Sequence, residues 1–248
     1  MKIKTKKIKR AVLVGVASLA VITIVAVLGC LVFLLDCYSA DMDDIEGFRQ
    51  GELKCYEENG NIIFSPENAE IGFIFYPGAK VDHRAYIPLL EVCSEKGIFC
   101  AIVEMPLYFP LIDSDAADEI RNAHPEIKSW YIGGHSLGGY SASMHVCDNP
   151  EVYEGLVLLA SYSAADLVKT DIKVLTVYGD CDEVMNRQRY DAGLELLPKD
   201  YTEIVINGGY HSYFGMYYGQ DGELENTPER VGQIDITSSA ILEMMGIK

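Results

Sequence analysis

Gly134-His135-Ser136-Leu137-Gly138 places a serine between two glycines in the pattern G-x-S-x-G. A serine hydroxyl is a weak nucleophile at neutral pH; it becomes useful when a neighbouring base takes its proton and an acid orients that base. The pattern presents the serine on a strained turn between a strand and a helix, with Oγ pushed outward. Crowding at such a turn demands flanking residues without a Cβ, which Gly134 and Gly138 supply. The context fits: Trp130-Tyr131-Ile132 is β-prone, and Tyr140 to Val146 can be helical. The alternative is a Gly-rich turn that happens to hold a serine.

The remaining chemistry must come from downstream, since the partners of such a serine follow in the order acid, then histidine. Of five histidines, two lie after Ser136. His145 sits nine residues on, within the helix leaving the turn, and should point away. His211 lies in Asn207-Gly208-Gly209-Tyr210-His211, just past the last expected strand, where a loop could carry it over the serine. The strand Ile172 to Tyr178 runs into Gly179-Asp180-Cys181-Asp182-Glu183-Val184, where both Asp180 and Asp182 qualify as the acid.

These residues need a scaffold, and the chain supplies alternating elements. Leu53 to Glu58 and Ile62 to Ser65 flank Asn59-Gly60, a tight-turn signal for a hairpin. Ile71 to Tyr76 reads as a buried strand, Arg84 to Gly97 as a helix with Pro88 in its first turn, and Ile98 to Val103 as a strand. A helix over Asp113 to Ala123 is followed by the strand at Trp130. Strands at Gly155 to Ala160, Ile172 to Tyr178 and Glu203 to Ile206 follow, with helices over Met185 to Leu197 and Thr227 to Met245. Such alternation predicts an α/β fold, a mainly parallel sheet with helices on both faces.

Ahead of this lies a different kind of segment. Residues 1–10 carry six bases and no acid, and Ala11 to Leu35 run 25 residues without a charge. A helix of that length spans about 38 Å, enough to cross a hydrocarbon core of roughly 30 Å. A cleaved signal peptide would have a shorter apolar region and small residues at the cleavage site, and Leu31 to Leu35 continue past the lipoprotein-like Cys30. The expected organisation is a basic cytoplasmic tail (1–10), a transmembrane anchor (11–35), a juxtamembrane segment with hairpin (36–69) and the α/β domain (70–248). The positive-inside rule puts the N-terminus in the cytoplasm and the domain outside, as a single-pass protein of the cell membrane.

All 37 acids follow the apolar run, and six of the 20 bases precede it, so the remainder carries a formal charge of −23. Such a surface repels phosphate backbones and argues against nucleic-acid partners. Seven cysteines cannot all pair within one chain, and they form no C-x-x-C, so no metal site is expected.

Three motifs over residues 70–245 together resemble the α/β-hydrolase superfamily, in particular its small lidless members related to dienelactone hydrolase. They are the Gly-His-Ser-Leu-Gly turn, the G-x-x-D-x-V pattern at Gly179, Asp182 and Val184, and Gly208-Gly209-Tyr210-His211 followed by Phe214-Gly215. The resemblance implies a triad of Ser136, Asp182 and His211. It implies an oxyanion hole from the N–H of Leu137 and a second N–H near Pro77-Gly78-Ala79. Pro77 cannot donate, leaving Ala79 or Gly78; the HGGG run of the best-known esterases is missing. Dienelactone hydrolases use a cysteine nucleophile, so their particular substrate is not carried over. The implied reaction is acyl transfer to water on a small-molecule carboxylic ester, with no cofactor. Thioesterase, peptidase and acyltransferase activity would use the same machinery, and a non-catalytic tethered binding domain is the rival from another class. The stretch Ser161 to Asp171 is too short for a helical cap, so Ser136 should open to solvent. Tyr108, Phe109, Tyr213 and Phe214 are expected to wall the pocket, their alternative role being core filling beneath the loops.

Overall fold

In a computed structural model, residues 2–48, 55–220 and 227–247 are described. The chain divides into two units, Met1–Asp36 and Cys37–Lys248.

The first unit is one helix, α1 (Lys2–Leu35). Its stretch Val12–Phe33 has a mean hydropathy of 2.8 over its most apolar window and no buried residue in that window, so it is long and apolar enough to cross a membrane.

The second unit is built on an eight-stranded sheet in the order β1-β2-β4-β3-β5-β6-β7-β8. The strands are β1 (Cys55–Glu58), β2 (Asn61–Phe64), β3 (Ile71–Tyr76), β4 (Phe99–Ile102), β5 (Ser129–His135), β6 (Tyr153–Leu159), β7 (Lys173–Gly179) and β8 (Thr202–Ile206). The hairpin β1–β2 turns at Asn59-Gly60, both with positive φ, and pairs antiparallel with β4; every other pairing is parallel. Leu53 and Lys54, expected at the start of the hairpin, lie outside the described residues.

Period-two alternation splits the apolar side chains between two layers. Phe73 and Phe75 join one core with Leu89, Leu90 and Ile241, while Ile74 and Tyr76 join the other with Ala142, Val146 and Ile120. Helices α3 (Ile87–Ser94) and α7 (Pro228–Met244) therefore cover one face, and α4 (Ala116–Ala123) and α5 (Leu137–Asp148) the other. Tyr76 ties the second layer together: its hydroxyl donates to the Ser114 carbonyl (2.7 Å) and accepts from the Ala117 amide (2.9 Å).

Several boundaries differ from expectation. Chain 84–97 is a 3₁₀ turn, His83–Tyr86, followed by α3, with Pro88 in the first turn of α3 where its missing N–H is harmless. Asp113 to Asp115 stay outside α4, and α6 (Arg187–Leu194) starts only after Asn186, whose side chain caps it at the Arg189 amide. A short helix, α2 (Met42–Phe48), had no sequence signal beyond its acidic first turn; it buries Ile45 against the first core layer.

Candidate active site

Ser136 follows the last residue of β5 and precedes the first of α5, with φ 52° and ψ −122°. A non-glycine residue held there stores strain of about 1–3 kcal/mol. The packing that enforces it is severe: a Cβ on Gly138 would lie 2.1 Å from the Tyr76 carbonyl oxygen and 2.3 Å from that of Pro77. The turn is fastened from the next strand, the Ser136 amide donating to Leu159 O (2.8 Å) and the Ser161 hydroxyl to Ser136 O (2.7 Å).

His211 opens a 3₁₀ turn, His211–Phe214, beyond β8. Its Nδ1 is 2.8 Å from Asp182 Oδ2, and both side chains are 1% exposed. The other oxygen of Asp182 accepts the amides of Val184 (2.9 Å) and Met185 (2.8 Å), so the carboxylate is aimed by its own turn. Asp180 does different work: its exposed carboxylate accepts the Gly208 amide at 2.7 Å and fastens the approach to His211. The loops after β7 and β8 touch, and a Cβ on Gly179 would lie 2.1 Å from the Gly209 backbone. That close approach is the physical content of the two glycine-containing motifs. His211 Nε2 is buried without a hydrogen-bond partner among the described residues. As a residue, His211 lines the same cleft as Ser136, a space of about 170 Å³ also bounded by Leu137, Tyr140, Tyr162, Val184 and Met185.

Of the expected amide donors, Leu137 and Ala79 have N–H groups with no acceptor among the described residues. Gly78 is excluded, because its N–H donates to Tyr86 Oη at 3.1 Å. The same hydroxyl lies 2.8 Å from His135 Nδ1. Burial foremost, with the His211 ring beside it, holds the His135 imidazole well below the usual histidine range, so it is neutral.

The expected aromatic wall needs correction. Tyr213 and Phe214 are 5% and 0% exposed; Phe214 packs on the His135 ring and Tyr213 against Tyr210 and the Arg230 guanidinium. They fill core beneath the loop because the tight turn at His211–Phe214 directs them inward. Tyr108 and Phe109 do not line the cleft either; the Tyr108 carbonyl instead accepts the Lys80 amide (2.7 Å). The rings at the cleft are Tyr140 and Tyr162, edge to face at 5.8 Å. Sequence reading also missed Arg230, fully buried, whose Nη1 donates to the carbonyls of Ser212 (2.9 Å) and Gly215 (2.7 Å), bracketing the His211 turn. Gln233 joins it, bonding both the amide and the carbonyl of Tyr210. The connection from Ala160 to Ile172 contains no helix. Among the described residues no group of three or more His, Cys, Asp or Glu could hold a metal ion.

Comparison with known proteins places this geometry. No curated protein matches the sequence. Among solved structures, the chain is similar to Est1E from Butyrivibrio proteoclasticus (15% identity, TM-score 0.57, covering 79% of this chain and 100% of that one). It is similar to a CIB-like hydrolase from Thermoplasma acidophilum (15%, 0.55, 77% and 100%) and to a dienelactone hydrolase from Anabaena variabilis (14%, 0.56, 78% and 99%). At such identities these likenesses speak for the fold. A family profile described as "Alpha/beta hydrolase family" matches residues 72–234, from β3 into α7 and across every residue of the Ser136 site, so the chain belongs to the alpha/beta hydrolase family.

Proposed function

We propose that this protein is a membrane-anchored serine hydrolase that cleaves small carboxylic esters through Ser136, His211 and Asp182. The observation that carries the reading is the pairing of His211 Nδ1 with Asp182 at 2.8 Å, while Nε2 is left without a partner in a residue that lines the same cleft as Ser136. That is what a base needs: one nitrogen fixed by an acid, the other open to a nucleophile and its substrate.

In this mechanism Ser136 Oγ attacks the ester carbonyl carbon as its proton passes to His211 Nε2. Asp182 holds the imidazole tautomer and stabilises the imidazolium. The carbonyl oxygen becomes an oxyanion held by the amides of Leu137 and Ala79; Leu137 is the first residue of α5, where the helix dipole adds favourable potential. The tetrahedral adduct collapses, the C–O bond to the alcohol breaks, and His211 returns the proton to the leaving alkoxide. Water then repeats the sequence on the acyl-enzyme and releases the acid.

A cleft of about 170 Å³ is small beside the roughly 300 Å³ at which drug-sized pockets begin. It suits a short acyl or small aryl group lying against Tyr140 and Tyr162. Est1E has been solved with ferulic acid bound, and an aryl acid of that kind is the sort of acyl group two such rings could contact. The six bases before the apolar span orient the chain with its tail in the cytoplasm and the hydrolase domain outside. The anchor occupies residues 11–35, the juxtamembrane segment with its hairpin 36–69 and the hydrolase domain 70–248. Fluorophosphonate labelling of the full chain tests the reading: Ser136 should be modified, and Ser136→Ala should not. Folded protein that resists labelling would reduce the domain to a tethered binding module.

A further inference from the structure

The loop after β4 gathers exposed apolar side chains. Within six residues it exposes Leu107 (36%), Leu111 (41%) and Ile112 (51%). Isolated exposed leucines are ordinary. Here Leu107 and Tyr108 are also both held at φ 54°, a left-handed conformation costing roughly 1–2 kcal/mol for each non-glycine residue. The loop is nonetheless firmly held, its Tyr108 carbonyl taking the Lys80 amide (2.7 Å) and its Pro110 carbonyl the buried Ser141 hydroxyl (3.0 Å). Strain maintained in order to display apolar side chains to solvent calls for an occupant.

The covalent path of the chain names one. Leu35 is the last residue of the apolar run, and Tyr38 follows three residues later. Three residues reach at most about 11 Å, while the headgroup layer beyond the hydrocarbon is roughly 5–7 Å deep on each side. Tyr38 is stitched to the rim of the site: its amide donates to Lys80 O (2.6 Å), and its carbonyl accepts the Asp82 amide (3.0 Å). Lys80 is the residue that holds Tyr108. One short tether therefore leaves both the loop after β3 and the apolar loop after β4 within reach of the lipid headgroups. Lys80 lies over the Tyr38 ring at 6.0 Å, and tyrosine and lysine are residues that favour this interface.

We propose that the Pro106–Ile112 loop inserts Leu107, Leu111 and Ile112 into the bilayer that holds the chain's own anchor, docking the domain with its active-site rim toward the membrane. The inference rests on the anchor assigned under Proposed function. The contact is apolar: the domain's formal charge of −23 would be repelled by anionic lipid, so docking needs no acidic headgroups and is insensitive to salt.

The test uses the full chain in phosphatidylcholine vesicles carrying bromine on the acyl chains. The protein has one tryptophan, Trp130, 7% exposed near the start of β5. That end of the strand is opposite to Ser136. In Ile112→Trp, and independently in Leu111→Trp, the added emission should be blue-shifted and quenched by the brominated lipid at low and high salt, with Trp130 of the parent unaffected. Carbonate extraction is run on the same vesicles. Protein that resists extraction but shows an unquenched added tryptophan in both variants overturns the docking and leaves the anchor standing. Protein that is extracted overturns both.

Discussion

The hydroxyl of Tyr86 lies 2.8 Å from His135 Nδ1, and through the same oxygen it accepts the Gly78 amide. One buried phenol thus joins the residue before Ser136 to the loop that carries Ala79. Tyr86→Phe keeps the ring but leaves a buried N–H and a buried ring nitrogen without partners, at about 1–3 kcal/mol each. The loop should drift, and the Ala79 amide with it. We expect kcat per titrated active site to fall on the order of 10–100-fold, short of the 10²–10³ for deleting an oxyanion donor outright, with KM little changed. An unchanged kcat per site, with only thermal stability reduced, would leave Tyr86 a purely structural residue.

Asp180 and Asp182 separate cleanly by geometry. Asp182→Asn should lower kcat on the order of 10⁴-fold by loss of the correct tautomer. Asp180→Asn, which keeps an oxygen to accept the Gly208 amide, should be mild. Ser136→Ala and His211→Ala should each lose on the order of 10⁶, and the double variant hardly more. Kinetics on one soluble ester decide this; a crippling Asp180→Asn would reassign the acid.

Acyl-chain preference follows from the cleft. Soluble short-chain p-nitrophenyl esters should be turned over with ordinary saturation and no jump in rate at the solubility limit, because the connection from Ala160 to Ile172 forms no helical cap. Tyr162→Ala removes one wall of the cleft and should move the preferred acyl chain to longer homologues. A parent enzyme that already prefers long chains contradicts the size argument.

Stability should fall in mild acid. His135 is fully buried and neutral, its affinity for protons depressed chiefly by desolvation; His83 is depressed in the same direction, also chiefly by burial. An unfolded histidine titrates near pH 6.5. Below that value the unfolded chain binds protons that the folded chain does not, so the stabilisation is complete above pH 6.5 and declines as pH falls. The slope contributed by His135 approaches about 1.4 kcal/mol per pH unit. Urea midpoints of detergent-solubilised protein between pH 7 and 5 should show this, and His135→Asn should flatten the slope even though it lowers the plateau. An equal slope in both proteins would mean that His135 takes up its proton in the folded state.

Orientation is open to a direct check. Protease added outside intact cells should remove the hydrolase domain and leave a short membrane-bound fragment containing the anchor. Immunoblots showing a protected domain would reverse the topology, and a soluble form beginning near residue 41 would indicate cleavage.

The sequence by itself determined whatever depends on local pattern. Alternating elements dictate a mainly parallel sheet, the glycines around Ser136 dictate a turn too crowded for any side chain, and the 25-residue uncharged run dictates a helix able to cross a membrane. The position of His211 past the last strand was legible for the same reason: strand, turn and histidine are contiguous. Position after β7 left both Asp180 and Asp182 open and the family resemblance favoured Asp182; only the tertiary structure supplies the physical reason, a turn whose two amides aim the Asp182 carboxylate at His211. It also moved the aromatic wall from Tyr213 and Phe214 to Tyr140 and Tyr162, because aromatic residues in a loop read alike whether a tight turn directs them inward or outward. The exclusion of Gly78 rests on a hydroxyl eight residues away, and the buried Arg230 braces a turn fifteen to eighteen residues before it. Such pairings depend on where the packed layers bring side chains in space, and one chain's linear pattern carries no record of it.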